Sequence, residues 1–119
     1  MSTNEQGQRA ETFALSLLQK NGYQLLHRNY HCRYGEIDLV VSKKQLVVFV
    51  EVRYRKNLNY GGAIESVTWH KQQKIIKTAE HYIHQHTNPE LDLDYRFDVI
   101  ALSSLSSTTN NHEWIENAW

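Results

Sequence analysis

The chain reads as one α/β or α+β domain in which two helices cover a mixed β-sheet, in the order helix, three strands, helix, two strands. Three patterns carry this reading: apolar residues at helical spacing in two separated segments, two apolar runs joined by a short turn within Gly35–Lys56, and turn residues that punctuate the rest. Residues 1–119 suffice for a single packed core without disulfide or metal staples. One cysteine, Cys32, excludes an internal disulfide framework and fits a reducing compartment. The start MSTNEQGQRAE is polar where a signal segment would be apolar, and no apolar run approaches membrane-spanning length, so a cytoplasmic protein with no membrane partner is expected.

Ala10, Phe13, Ala14, Leu17 and Leu18 recur at i, i+3, i+4, i+7 and i+8, which predicts a helix from about Thr3 to Lys20 with one apolar stripe. Ser2, Thr3 or Asn4 can cap its start, and Asn21-Gly22 stops it. At about 100° per residue Glu11 projects near Leu18, at the margin of the stripe and not on its wet side. Tyr23–Asn29 then reads as a short strand at or near a sheet edge, followed by a polar connection through Tyr30, His31, Cys32 and Arg33. His27, His31 and Cys32 do not make a zinc site: the stretch is not helical and no second cluster completes a tetrahedral ligand set.

The central hairpin allows a geometric expectation. With Lys44-Gln45 at the centre of the turn, Asp38 lies opposite Glu51 and Glu36 opposite Arg53, and opposed residues share a face with β-carbons about 5 Å apart. Val40, Val47 and Phe49 continue that face, while Ile37, Leu39, Val41, Leu46, Val48, Val50 and Val52 fill the other. Both faces are apolar over most of their length, as in a central sheet covered on each side. A one-residue slip would send Asp38 and Glu51 to opposite faces.

Asn57–Ala63 is the most loop-like segment, a candidate flap beside the charged end of the hairpin. Thr68 can cap a second helix running to about Gln85, with Gln72, Ile75, Ile76, Ala79, Tyr82 and Ile83 inward and Lys71, Lys74 and His81 flanking them. His81 and His84 read as surface or helix-end histidines. After the break at Asn88-Pro89 come a strand at Tyr95–Leu102, a serine-rich loop at Ser103–Asn111 and a last strand at His112–Ile115. There is no internal repeat, glycine-rich phosphate loop or serine nucleophile elbow.

The formal net charge is zero, but its distribution is uneven. Between Lys43 and Lys77 eight bases stand against two acids, whereas from Thr78 onward Arg96 alone stands against seven acids. Such segregation can give one face a positive potential for phosphates, with Arg55, Lys56, Lys71 and Lys74 as the candidate contacts, or simply reflect solvated faces. Glu36, Asp38, Glu51 and Arg53 pose the sharper question. A buried strand pair has no structural use for them, since a desolvated carboxylate needs a cation or dense hydrogen bonding. A metal, a salt-bridge network and an opening to solvent are all open answers. Oxygen-only ligands suit Mg²⁺ or Mn²⁺, which bind phosphate oxygens and acidify a bound water. A cation two residues beyond Glu51 can stabilise charge on the phosphate, and phosphodiester hydrolysis is the natural reaction.

GEIDLVV followed by FVEVRYR resembles the D-x(n)-E-x-K signature of the restriction-endonuclease-like nucleases, the PD-(D/E)XK superfamily. More closely, the chain resembles the YraN family assigned to that superfamily. The likeness runs from Gly7, Glu11 and Ala14 through Gly35–Asp38, Phe49–Val52, Arg55, Gly61, Lys71, Tyr82 and Arg96–Val99 to Asn117-Ala118. It implies an α/β restriction-endonuclease-like fold, with Asp38 and Glu51 as metal ligands and the Val52 carbonyl as a third. Glu11 would match the helical glutamate of Holliday-junction-resolvase-like members, and Lys71 would reach toward phosphates. Arg53 would fill the catalytic cation position, where the family pattern has lysine. Arginine keeps the charge but is effectively never deprotonated. The implied activity is Mg- or Mn-dependent cleavage of nucleic acid, DNA first. Structure-selective cutting of branched or single-stranded DNA would suit so small a domain, and a homodimer would let two sites address two strands. The alternative is a nuclease-fold module that binds nucleic acid or a protein partner without cutting.

Overall fold

The computed structural model describes residues 3–54, 67–103 and 112–119, with side chains from residue 5 onward. The elements are α1 (Thr3–Lys20), β1 (Gln24–Cys32), β2 (Gly35–Lys43), β3 (Leu46–Tyr54), α2 (Trp69–His86), β4 (Asp94–Leu102) and β5 (His112–Ile115). The strands form one sheet in the order β1-β2-β3-β4-β5, with every neighbouring pair antiparallel except β3 and β4. This is the α/β arrangement expected, a five-stranded mixed sheet between two helices. The proposed cap Ser2, the candidate flap Asn57–Ala63, the bases Arg55 and Lys56, and all but Ser103 of the serine-rich loop lie outside the described residues, whereas Thr3 and Asn4 fall within α1.

The helices sit on opposite faces. Ala14 and Leu18 of α1 are buried with Tyr23, Leu39, Val41, Val48, Val50 and Ile100. Ile75, Ala79 and Tyr82 of α2 are buried with Ile37, Val40, Val47, Phe49, Val99 and Ala101. Covered on both sides, β3 and β4 carry runs of consecutive buried residues, Val47–Glu51 and Asp98–Leu102, as parallel neighbours in a central sheet do. Helix α1 ends where Gly22 takes φ +91°. The Tyr23 and Gly22 amides donate to the Leu18 and Gln19 carbonyls, 3.0 Å each, and so satisfy the helix's last acceptors. Helix α2 starts at Thr68, whose hydroxyl accepts the Lys71 amide at 3.2 Å. Its inward stripe also contains Thr78, fully buried, which donates to the Lys74 carbonyl at 2.8 Å. The polar side chain is tolerated inside because its hydroxyl bonds its own helix.

Three expectations are corrected. Strand β1 runs to Cys32, because its polar end pairs along β2 through Tyr30↔Ile37, His31↔Glu36 and Cys32↔Gly35. Backbone pairing at an edge overrides the side chains' weak strand preference. The hairpin register is the expected one, from Lys43↔Leu46 to Leu39↔Val50, but pairing stops there and Glu36 has its partner in His31 rather than Arg53. Finally, Ile37 packs on the α2 side with Val40, while Leu39 and Val41 pack on the α1 side. The in-out alternation of β2 therefore slips by one residue across Asp38.

Candidate functional site

Asp38 and Glu51 lie just beyond the last β2–β3 pair, where the two strands part. The Val52 amide donates to Asp38 Oδ2 at 2.8 Å, so a carboxylate takes the place of a ladder acceptor. That bond accounts for the slip in β2: the Asp38 side chain is directed along the sheet toward β3 and uses up a residue of the alternation. Glu51 follows Phe49 on the α2 side and is 3 % exposed. Among the described residues its salt-bridge partner is Lys71 in the first turn of α2, with Nζ 3.6 Å from Oε2.

This is an expensive place for two acids. Burial pushes the Glu51 carboxyl up to about 8 and the charge of Asp38 adds to it, while Lys71 and Arg53 pull the other way. Burial likewise raises Asp38 to about 6; the Val52 amide opposes that, Glu11 and Glu36 reinforce it, and Lys71 opposes it. Both groups therefore hold protons more tightly than ordinary carboxyls, and each would be relieved by a cation.

The other expected site residues are distributed around this pair. Glu11 of α1 is near enough for its charge to act on Asp38, but its own contact is with Arg28 of β1, whose Nε donates to Oε1 at 3.3 Å. Arg28 also donates to the Gln8 carbonyl and the Thr12 hydroxyl, 3.0 Å each, so it fastens β1 to α1 and orients Glu11. Sequence reasoning missed Arg28, and its place at the polar end of a strand underestimated in length concealed it. Arg53 is half-buried, and its Nε is buried with no hydrogen-bond partner among the described residues. Lys74 is exposed on α2, one turn beyond Lys71.

Among the described residues no three histidine, cysteine or acidic side chains converge as a metal site. The chain could thus offer a divalent ion two carboxylates, with backbone carbonyls such as that of Val52 to supplement them. Magnesium and manganese, which keep several waters, accept so sparse a set, whereas structural zinc does not. The histidines are used otherwise. His27 Nδ1 lies 3.2 Å from the Tyr82 hydroxyl and Tyr30 Oη 2.6 Å from His81 Nδ1, within an aromatic seam between β1 and α2. His81 is therefore a packed residue and not a surface one, whereas His84 is exposed.

A second buried acid, Asp98 of β4, also escaped the sequence reading. It is fully buried and accepts from Arg96 Nε and Nη2 at 2.8 Å each, from the Asn117 amide at 2.9 Å and from Trp114 Nε1 at 3.0 Å. The hydrogen bond to Asp98 holds the Arg96 guanidinium above its ordinary range. The acceptors of Asp98 are occupied, so it is a tie between β4, β5 and the C-terminal residues.

Among the described residues no helix is long and apolar enough to cross a membrane. Residues 10–102 match the model of a family described as Uncharacterised protein family UPF0102. The chain is 44% identical over 117 residues to a UPF0102 protein of Legionella pneumophila, covering 98% of this chain and 96% of the relative. It is 46% identical over 118 residues to one of Psychromonas ingrahamii, covering 99% and 92%. A UPF0102 protein of Nitrosomonas europaea is 43% identical over 118 residues, covering 99% and 96%. With a match across most of its length and relatives this similar end to end, the chain belongs to the family UPF0102, the YraN family.

Proposed function

We propose that this protein is a metal-dependent nuclease that hydrolyses phosphodiester bonds, with Asp38 and Glu51 as the ligands of a Mg²⁺ or Mn²⁺ ion. The observation that carries the reading is the acid pair at the parting of β2 and β3, where Glu51 is 3 % exposed and, among the described residues, the base within salt-bridge distance is Lys71 at 3.6 Å. A protein that needed these acids only for its fold would surround them with donors, as it does Asp98. The ion, when bound, supplies charge neutralisation at the phosphate and an acidified water. Asp38 is held in place by the Val52 amide, Glu51 by the packed strand, and Glu11 by Arg28 at the margin. Arg53 and Lys71 bring positive charge to the phosphate, and Lys74, Arg55 and Lys56 extend it along the polyanion.

One observation favours the second reading, a module that binds nucleic acid without cutting. Arg53 stands at the lysine position of the signature, and an arginine cannot share in proton transfer at neutral pH. The discriminating experiment is incubation with labelled duplex, single-stranded and four-way-junction DNA plus Mn²⁺, comparing the wild type with Glu51→Ala and Arg53→Lys. Cleavage that disappears in Glu51→Ala is expected. Binding without Glu51-dependent cleavage supports the module, and cutting gained only in Arg53→Lys identifies residue 53 as the reason for silence.

A further inference from the structure

We propose that the Lys71 ammonium is the resident counter-cation of the acid pair, and that a divalent ion competes with it and binds more tightly once Lys71 moves to a phosphate oxygen. This rests on the metal-site reading above and adds to it a rule for when the site fills.

Among the described residues Lys71 is the base within salt-bridge distance of Glu51, and none is that close to Asp38. Its separation of 3.6 Å exceeds the roughly 2.7–2.9 Å of a charge-assisted hydrogen bond, so the ammonium is attracted by the pair but not locked onto it. The two partners also differ in freedom. The Glu51 side chain is 4% exposed and fixed by the strand, while the Lys71 side chain is 41% exposed with an open path to solvent. The root of Lys71 is fixed, because its amide is bound by the Thr68 cap in the first turn of α2. A fixed root with a free tip lets the ammonium swing without disturbing the helix.

An ammonium and a divalent ion at the same carboxylate repel each other strongly, so the two occupants compete. A phosphodiester placed at the site offers the displaced ammonium a second anion. Metal and polyanion then each tighten the binding of the other, by the same factor in both directions. In the absence of nucleic acid Lys71 competes with the ion and weakens metal binding at the site.

The test is calorimetry with Mn²⁺ alone and with Mn²⁺ plus a phosphorothioate oligothymidylate, at constant ionic strength and one fixed pH. Lys71→Met is expected to bind Mn²⁺ about threefold to fivefold more tightly than the wild type without oligonucleotide. Lys71→Arg, which keeps the charge, is expected to stay close to the wild type. The oligonucleotide is expected to tighten Mn²⁺ binding by a larger factor in the wild type than in Lys71→Met. Circular-dichroism melts verify that the variants are folded, with Lys71→Gln as the substitute if Lys71→Met is not. Unchanged or weaker Mn²⁺ binding in Lys71→Met overturns the proposal while leaving the metal site standing. A heat that survives both Asp38→Ala and Glu51→Gln overturns the metal site itself.

Discussion

Asp98 and Glu51 are buried acids on neighbouring strands, one step apart in the β3–β4 register, where Val50 pairs with Asp98 and Glu51 with Val99. They point to opposite faces of one sheet and meet opposite treatment. Asp98 on the α1 side accepts four hydrogen bonds, two of them from one guanidinium. Glu51 on the α2 side has a second carboxylate beside it and an ammonium at 3.6 Å. Depth is the same, so the difference lies in the donors. A buried charge with its acceptors satisfied ties a fold together, whereas one left short raises the free energy of the folded chain until a cation arrives.

Two substitutions separate these roles. Asp98→Ala removes one partner of a buried ion pair, leaving the Trp114 indole without its acceptor and Arg96 with only the Tyr23 hydroxyl and the exposed Glu116. It is expected to lower unfolding stability by about 3–5 kcal/mol in denaturant titrations. Stability close to wild type would mean that the network is dispensable. Glu51→Gln acts in the other direction and by less. A carboxyl whose folded-state value lies above its unfolded one contributes stability that is full below the ordinary value and lost as pH rises through the folded one. Glu51 is shifted from 4.5 to about 8, and Asp38 moves in the same sense to about 6. The metal-free wild type should therefore lose stability as pH climbs across that window. Glu51→Gln should flatten the decline and be more stable at its upper end by roughly 1–3 kcal/mol. Parallel pH profiles for the two proteins would contradict this.

Much of the architecture was legible because it is written in local periods. The bounds of α1, the Thr68 cap and the register of the β2–β3 hairpin follow from apolar spacing, a capping side chain and a turn centre, each within a few residues. The acid pair was legible for the opposite reason, as charges that break an apolar pattern. What could not be read depends on partners distant in sequence. The alternation of β2 slips because the Asp38 carboxylate finds an amide 14 residues away. Asp98 owes its place to Trp114 and Asn117, 16 and 19 residues on, although Arg96 two positions before it was a local hint. Arg28 meets Glu11 across 17 residues, and β1 reaches Cys32 through backbone pairing with β2, not through the character of its side chains.

The central claim is that the underprovided acid pair exists to hold a divalent ion. Its most direct test is Mn²⁺ calorimetry on the wild type against Asp38→Ala, a variant that keeps Glu51 and Lys71. A saturable heat in the wild type that vanishes in Asp38→Ala is expected, and equal heats in the two proteins would contradict the claim.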